Sequence, residues 1–407
     1  MNEALRKAYT ESEELEIIRI NFLNQMHLKH FSYSRFLPDI RFSYSQPWQI
    51  DFDADKKFKE LNDASWQIQA TQNLFNKGID LIDVKSKRFT SQKALFEYQN
   101  FEQDILFKMI SAYIENIHAH KILKISENNL QVYKTKLEYV KAKYIHGEAT
   151  SVELEISKAS LARAEKERHS AVRHLKDSES KFFLYLRFLP DNLELTNFEL
   201  KSLENVNELS SQILKNNFQV KLALRETYIA KSELYKARAS FLPQVDLKLS
   251  RSNETYFSAK SKLEIRLDVP ILNQGGKDLI QIRVAHKDYL IKKAQYLKIF
   301  QEISDRIKFS LEEFNNLIEQ IKANDKAITS SKIAHEAMNQ EYLIGTRTLV
   351  DVLNEQEKLN QFLIEDINLR KNLALSFYKI KILDGKLLMK EIDQENKSQY
   401  FDPNRHI

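Results

Sequence analysis

The sequence predicts a mainly α-helical protein with a small β part, built from long antiparallel helical hairpins and written as an internal two-fold repeat. Three observations carry this: breakers are scarce, a set of landmarks recurs in order, and short segments switch from helical to period-two spacing. Only 6 Gly and 6 Pro occur in 407 residues, where average usage is roughly 7% Gly and 5% Pro. Few breakers mean few turns and long elements. A hydrophobic fraction of 43% with 29% charged residues is too apolar for disorder and suits amphipathic helices.

The repeat governs the architecture. Ser34-Arg35-Phe36-Leu37-Pro38-Asp39-Ile40 returns 205 positions later as Ala239-Ser240-Phe241-Leu242-Pro243-Gln244-Val245. Leu74 to Gly78 returns as Ile271 to Gly275. Tyr144-Ile145-His146-Gly147 returns 198 positions later as Tyr342-Leu343-Ile344-Gly345, and Val152-Glu153-Leu154 returns as Val350-Asp351-Val352. Between Gly78 and Gly147, and again between Gly276 and Gly345, lie 68 residues without Gly or Pro. Glycine supplies the left-handed helix cap and proline cannot continue a helix, so these breakers mark helix ends. Each half therefore holds one very long and one medium helix. At 1.5 Å per residue the long run reaches about 100 Å, more than one globular core can span. Repeat one is expected over 1–189 and repeat two over 212–386.

Heptad spacing supports packing along these helices. Leu130, Tyr133, Leu137, Val140 and Tyr144 step by three and four, as do Ile328, Ser331, His335, Met338 and Tyr342. The returning helix continues the pattern at Leu161, Ala164, Arg168, Ala171, Leu175, Ser178 and Phe182. Small and polar residues interrupt these seams, which predicts packing against more than one neighbour.

Around Pro38 and Pro243 the spacing becomes two. Ile40, Phe42 and Tyr44 alternate with Arg41 and Ser43; Trp66, Ile68 and Ala70 alternate with Gln67 and Gln69. Val245, Leu247 and Leu249 alternate with Asp246 and Lys248, while Leu263, Ile265, Leu267 and Val269 alternate with Glu264, Arg266 and Asp268. Strands are expected over about 39–50, 64–74, 244–253 and 260–271. One apolar and one polar face over about ten positions is the pattern of a membrane-barrel strand. Four strands cannot close a barrel, so oligomerisation follows: a dimer gives eight strands and a filled lumen, a trimer twelve and room for passage. A half-buried sheet on a soluble helical protein shows the same alternation.

Composition excludes other classes. The 62 basic and 57 acidic side chains are interspersed, with no Lys/Arg block to bind nucleic acid. Without Cys there is no thiol catalysis or Cys metal site. No run of about 18 apolar residues predicts a spanning helix, which leaves a β-barrel open. The N-terminus from Met1 lacks a secretory apolar stretch, so a removed signal, a misassigned start and a cytosolic protein all stand as readings.

Taken in order, an N-terminal helix, a Phe-Leu-Pro lead into a hairpin, a long helix and a Gly-containing turn into a returning helix, all given twice, resemble the TolC family of outer-membrane efflux and secretion ducts. The most specific stretch runs from Tyr342 to Asn354 and on through Gln356 to Leu359. The resemblance implies a homotrimer with a twelve-stranded β-barrel in outer-membrane lipid and a helical α-barrel across the periplasm, belted at its middle by 190–211 and 387–407. It implies a passive duct that serves a periplasmic adaptor and an inner-membrane pump in tripartite efflux or type I secretion. The turns at Gly147 and Gly345, with Thr150 and Thr348, match the periplasmic tip and its adaptor-docking grooves. Asp351 matches an acidic constriction ring, whose three copies would focus a negative potential on the axis. Asn354 stands where a second acid follows one turn later, which weakens the implied cation selectivity. Arg347 and Tyr342 match residues that latch the closed tip, and Glu153 matches their acidic partner on the neighbouring hairpin. An ordinary i,i+4 pair on a solvated helix also accounts for Arg347 with Asp351. Cargo is not encoded in these features.

No enzyme is expected. Glu115-Asn116-Ile117-His118 has the spacing of half a carboxylate-bridged metal site, but no second Glu-x-x-His accompanies it, so His118 and His120 read as helix-surface residues. His27 and His30 are lone neighbours. Gly275-Gly276-Lys277 lacks phosphate-loop spacing and reads as a strand-to-helix turn. Neither a nucleophile elbow nor a dinucleotide fingerprint appears, and no metal or cofactor is expected. A cytosolic coiled-coil protein and a periplasmic adaptor are the alternatives; symmetric hairpins have no role in a cytosolic rod, and adaptors carry one helical hairpin with more β structure.

Overall fold

The computed structural model describes residues 2–46, 48–50, 58–60, 64–189, 193, 203, 205–253, 259–270 and 274–392. In order these form α1 (Asn2–Thr10), α2 (Glu13–Phe31), β1 (Asp39–Ser45), β2 (Trp48–Ile50), β3 (Phe58–Glu60), β4 (Ser65–Asn76), α3 (Ile79–Ile145) and α4 (Ser151–Leu186). There follow α5 (Val206–Asn216), α6 (Phe218–Ala239), β5 (Gln244–Asn253), β6 (Ala259–Asp268), α7 (Lys277–Leu343) and α8 (Leu349–Leu383). Both α3 and α7 are 67 residues long, and the helices that return from them have 36 and 35. The two long helices run until a glycine turn ends them, whereas α4 ends at Arg187 in the left-handed conformation, φ 63.

The chain divides into two compact units. One comprises 17–98 and 219–300 and contains the sheet. Its four strands lie in the order β1-β4-β5-β6, all antiparallel, so the sheet has edges at β1 and β6. The register places like with like: Phe42 opposite Ile68, Leu247 opposite Ile265 and Leu249 opposite Leu263 on one face. On the other face Arg41 lies opposite Gln69, Asp246 opposite Arg266 and Lys248 opposite Glu264. The apolar face is bare, with Phe42 and Ile265 each 68% exposed. Tyr44 stands opposite Trp66 near the end of the β1–β4 ladder. A bulge between Asn73 and Phe75 inserts one residue into β4 and shifts its pairing with β5, which bends and twists the strand locally.

The stretch expected as one strand over about 39–50 is divided: β1 ends at Ser45, and Trp48–Ile50 pairs with Phe58–Glu60 in a separate two-stranded ribbon. Helices in this unit are tied by Glu226 on α6, whose carboxylate meets Lys93 on α3 and Lys292 on α7, each at 2.9 Å. Burial pushes the Glu226 carboxyl up, but its two lysines outweigh that and hold it below the usual range.

The other unit comprises 1–16, 99–218 and 301–407. Its main core gathers Leu5 of α1, Leu106, Ile110 and Tyr113 of α3, Phe182 and Leu186 of α4, and Ala374 and Tyr378 of α8. Glu102 enters this core because it is satisfied there, accepting from the Met389 backbone N–H at 3.1 Å and Tyr9 Oη–H at 3.2 Å. A second cluster joins Phe314, Ile318 and Ile321 of α7 to Leu369 and Leu373 of α8. On α4, Ser157, Ala164, Ala171 and Ser178 are all buried at seven-residue steps, a row of small side chains that allows close approach along the helix. Of the seam expected on α3, Tyr133, Leu137 and Val140 are buried, but Tyr144 is exposed because the helix ends one residue later. Most of the expected belt, 190–192, 194–202, 204 and 393–407, lies outside the described residues; α5 occupies the end of its first segment.

Gly385 closes α8 with φ +68, donating to the Ile382 carbonyl at 3.0 Å while Lys386 N–H reaches Lys381 O at 2.9 Å. A Cβ there would stand 2.9 Å from the Asn216 carbonyl oxygen, whereas at Gly345, φ +84, it would meet nothing within 4 Å. Both substitutions incur backbone strain of about 1–3 kcal/mol, and only one adds a backbone clash. Gly385→Ala is expected to lower the thermal unfolding midpoint clearly more than Gly345→Ala; equal effects would show that the α5–α8 contact yields freely.

Candidate gate at the helical hairpin turns

Each long helix ends in the same hydrogen-bonded motif. At α3, Gly147 (φ +77) donates to Tyr144 O at 3.0 Å and Glu148 N–H to Lys143 O at 2.8 Å; at α7, Gly345 donates to Tyr342 O at 3.1 Å and Thr346 N–H to Glu341 O at 2.9 Å. This is the paired-bond glycine cap, and it satisfies carbonyls that the helix end would leave open. Three residues after each glycine a threonine begins the return. Thr150 Oγ1 accepts from Glu153 N–H at 3.2 Å, and Glu153 Oε2 accepts from Thr150 N–H at 2.8 Å. Thr348 and Asp351 repeat the exchange at 3.3 Å in both directions. Both are reciprocal capping boxes, and the acid also favours the positive end of its helix. Glu153 and Asp351 are therefore equivalent groups with the same local duty. Hydrogen bonds from the Thr348 hydroxyl and backbone, helped by Arg347, hold the Asp351 carboxyl below its ordinary range, so it is ionised at neutral pH.

Behind the turns, one apolar cluster joins the two hairpins: Tyr133, Val140, Ala164, Tyr342, Leu349, Val352 and Leu353, with Ala149, Leu154 and Ile156 packed against it. Tyr342 is buried in this cluster and meets Tyr139 edge-on, ring centres 6.3 Å apart and planes at 70°. Lys143 Nζ sits 5.1 Å and 5.2 Å from the two ring centres, a cation between two π faces. Its partnership with Tyr139 raises the Lys143 pKa, and burial raises that of the Tyr342 hydroxyl. Arg163 on α4 pairs with Glu357 on α8 at 2.7 Å, and Asn360 donates to Asn129 across α8 and α3.

The turns thus bring together Gly147, Thr150 and Glu153 on one hairpin and Tyr342, Gly345, Arg347, Thr348 and Asp351 on the other. Asn354 is exposed one turn beyond Asp351. Within the chain Arg347 does not meet Glu153: its Nε donates to Glu341 Oε2 at 2.8 Å, while Glu153 is engaged by Thr150. Tyr139, Lys143 and the Arg163–Glu357 pair escaped the sequence reading because their partners are distant in sequence. The capping boxes also escaped it, although Thr-x-x-Glu and Thr-x-x-Asp directly after a Gly turn are the local signal that could have found them.

Beside this cluster a cleft of about 530 Å³ is lined by Lys136, Tyr139, His335, Asn339 and Tyr342, among others. Neither Lys136 Nζ nor His335 Nε2 has a hydrogen-bond partner among the described residues. Burial pushes the Lys136 ammonium down to about 8 and the His335 imidazolium down as well.

The described residues thus present an amphipathic sheet with two edges and two helical hairpins with capped turns. The outer membrane efflux protein family matches residues 209–385. Outer membrane protein TolC of Escherichia coli K12 is 23% identical over 354 residues, covering 80% of this chain and 70% of its own. Among solved structures, CusC superposes with a TM-score of 0.83 at 16% identity, over 94% of this chain and 91% of that one. VceC of Vibrio cholerae gives 0.81 at 17% identity, over 94% and 95%. The chain is thus similar to outer membrane efflux proteins in sequence over its second half, and shares the fold of the solved channels over nearly all of its length.

The sign of the Lys136 effect follows from its lowered pKa. Between pH 8 and the ordinary lysine value the folded chain binds fewer protons than the unfolded one, so stability rises with pH across that window. Below it the burial penalty is fully present. Lys136→Met is expected to raise the unfolding midpoint at pH 7, with the gain shrinking toward zero above about pH 10; a gain independent of pH would place its cause elsewhere.

Proposed function

We propose that three copies of this chain form the outer-membrane exit duct of a tripartite efflux or type I secretion system. The observation that carries this is the sheet: Ile40, Phe42, Leu263, Ile265 and Leu267 are bare on one face, charged and amide side chains cover the other, and β1 and β6 are unpaired edges. In water such a face and such edges are liabilities. Joining β1 of one copy to β6 of the next, three times, removes every edge in a twelve-stranded barrel with lipid outside and a polar lumen. The Tyr44–Trp66 pair near the end of the ladder suits the aromatic girdle at a membrane surface.

The hairpin turns supply the gate in this reading. Asp351 projects from the first turn of α8, ionised and on a capped and therefore defined backbone, so three copies about an axis make an acidic constriction. Asn354 adds hydrogen-bonding capacity without charge. Tyr342 anchors the turn from behind, and Arg347, held by Glu341 within its own chain, is positioned to exchange that partner for Glu153 of a neighbouring copy. Docking of a periplasmic adaptor in the grooves beside Gly147 and Gly345, with an inner-membrane pump behind it, would loosen these contacts and open the duct. The duct itself uses no nucleotide.

Single-channel recording in planar bilayers tests the gate. Asp351→Ala is expected to raise conductance and weaken block by multivalent cations added on the periplasmic side. Unchanged block would remove Asp351 from the constriction, and failure to form channels at all would count against the barrel.

A further inference from the structure

Away from the turns, α3 and α4 bring three ligand-type side chains together. Glu115 and His118 stand one turn apart on α3, His174 faces them from α4, and one ligand atom of each lies within 4.8 Å of the others. His174 Nε2 is 3.1 Å and His118 Nδ1 4.0 Å from the same oxygen, Glu115 Oε1. The imidazole rings are 5.9 Å apart and edge-on at 66°.

His118 is not the surface residue its sequence context suggests; it is 7% exposed. Its Nε2 lies 2.8 Å from Asn368 Oδ1 on α8. An amide oxygen only accepts, so Nε2 carries the proton and Nδ1 presents a lone pair. That lone pair is buried and has no hydrogen-bond partner. A histidine fixed by its N–H to an oxygen acceptor, with the other nitrogen turned toward a carboxylate, is the arrangement that orients metal-binding imidazoles. A simple ion pair accounts for His174 with Glu115 but leaves His118 Nδ1 unexplained.

We propose that Glu115 Oε1, His118 Nδ1 and His174 Nε2 bind one divalent first-row transition ion of the zinc type, with solvent completing its coordination. Two imidazoles and one carboxylate are a ligand set that suits zinc with one position open. Bonds of about 2.0–2.1 Å set ligand atoms roughly 3.3 Å apart in a tetrahedron, which the present spacing reaches by small side-chain rotations. His174, 46% exposed at its side chain, gives the ion access from solvent. Lys371 Nζ is 3.4 Å from the other carboxylate oxygen, Glu115 Oε2; it orients the carboxylate, and its charge moderates the affinity. Next to the site Asn116 donates to Ser178 Oγ at 3.1 Å, fixing the α3–α4 register. A bound ion would tie α3 to α4 and, through Asn368, to α8.

The test uses the full-length assembly in detergent, stripped with chelator and titrated with Zn²⁺ against a chromophoric competitor, then with Co²⁺ for its visible spectrum. One ion per chain, a four- or five-coordinate Co²⁺ absorption and a zinc-dependent rise in the unfolding midpoint are expected. His118→Ala and His174→Gln should each weaken binding at least about tenfold, while His120→Ala, on the exposed side of α3, should leave it unchanged. His174 is half-exposed, so its variant reports even if His118→Ala does not fold. Absence of binding up to about 100 μM zinc, or binding unaffected by His174→Gln, would overturn the site.

Discussion

A single helix of 67 residues cannot bury its own apolar stripe. Everything in the helical unit follows from that constraint, because each long helix needs a partner returned along its length and the chain must supply it through a tight reversal. The reversals at Gly147 and Gly345 do this with the same few hydrogen bonds. A glycine in left-handed conformation closes one helix, and a threonine with its acid three residues later opens the next. Apolar side chains from both hairpins then share one cluster around Tyr342, Leu349 and Val352.

The sheet divides its apolar and polar residues between two faces. Within each hairpin its register aligns apolar residues on a face that stands exposed among the described residues, while Lys248–Glu264 and Asp246–Arg266 oppose one another on the reverse. That division is unfavourable for a solitary chain in water and favourable where lipid meets one face. The β1 and β6 edges of the described sheet are what the proposed trimer would close. The family resemblance and the exposed chemistry thus point the same way by independent routes.

The candidate gate residues hold their places through local duties. Asp351 and Glu153 cap helices before they do anything else, which gives their charges a fixed position at the start of a return helix. Where the chain departs from the pattern it resembles, at Asn354, charge is lost and hydrogen bonding kept. Elsewhere in the same unit, Asn368 fixes the His118 ring, and His118 in turn faces Glu115 and His174. Several buried polar groups in this helical unit bond across helices, as His118 with Asn368, Asn116 with Ser178 and Ser331 with Glu355 do.

By itself the sequence determined helix lengths, turn positions, the twofold order and the alternating strands, because these depend on breakers and periodicities within a few residues. The capping boxes were equally local. Tertiary structure decided what distance in sequence hides: that β4 pairs with β5 across the two halves, that Tyr139 and Lys143 lie against Tyr342, and that His174 comes to Glu115. His118 shows the reason most plainly. A spacing of three on one helix states which side chains share a face, but only the helices packed against that face decide whether it meets water, and therefore whether a histidine is a solvated base or a buried lone pair.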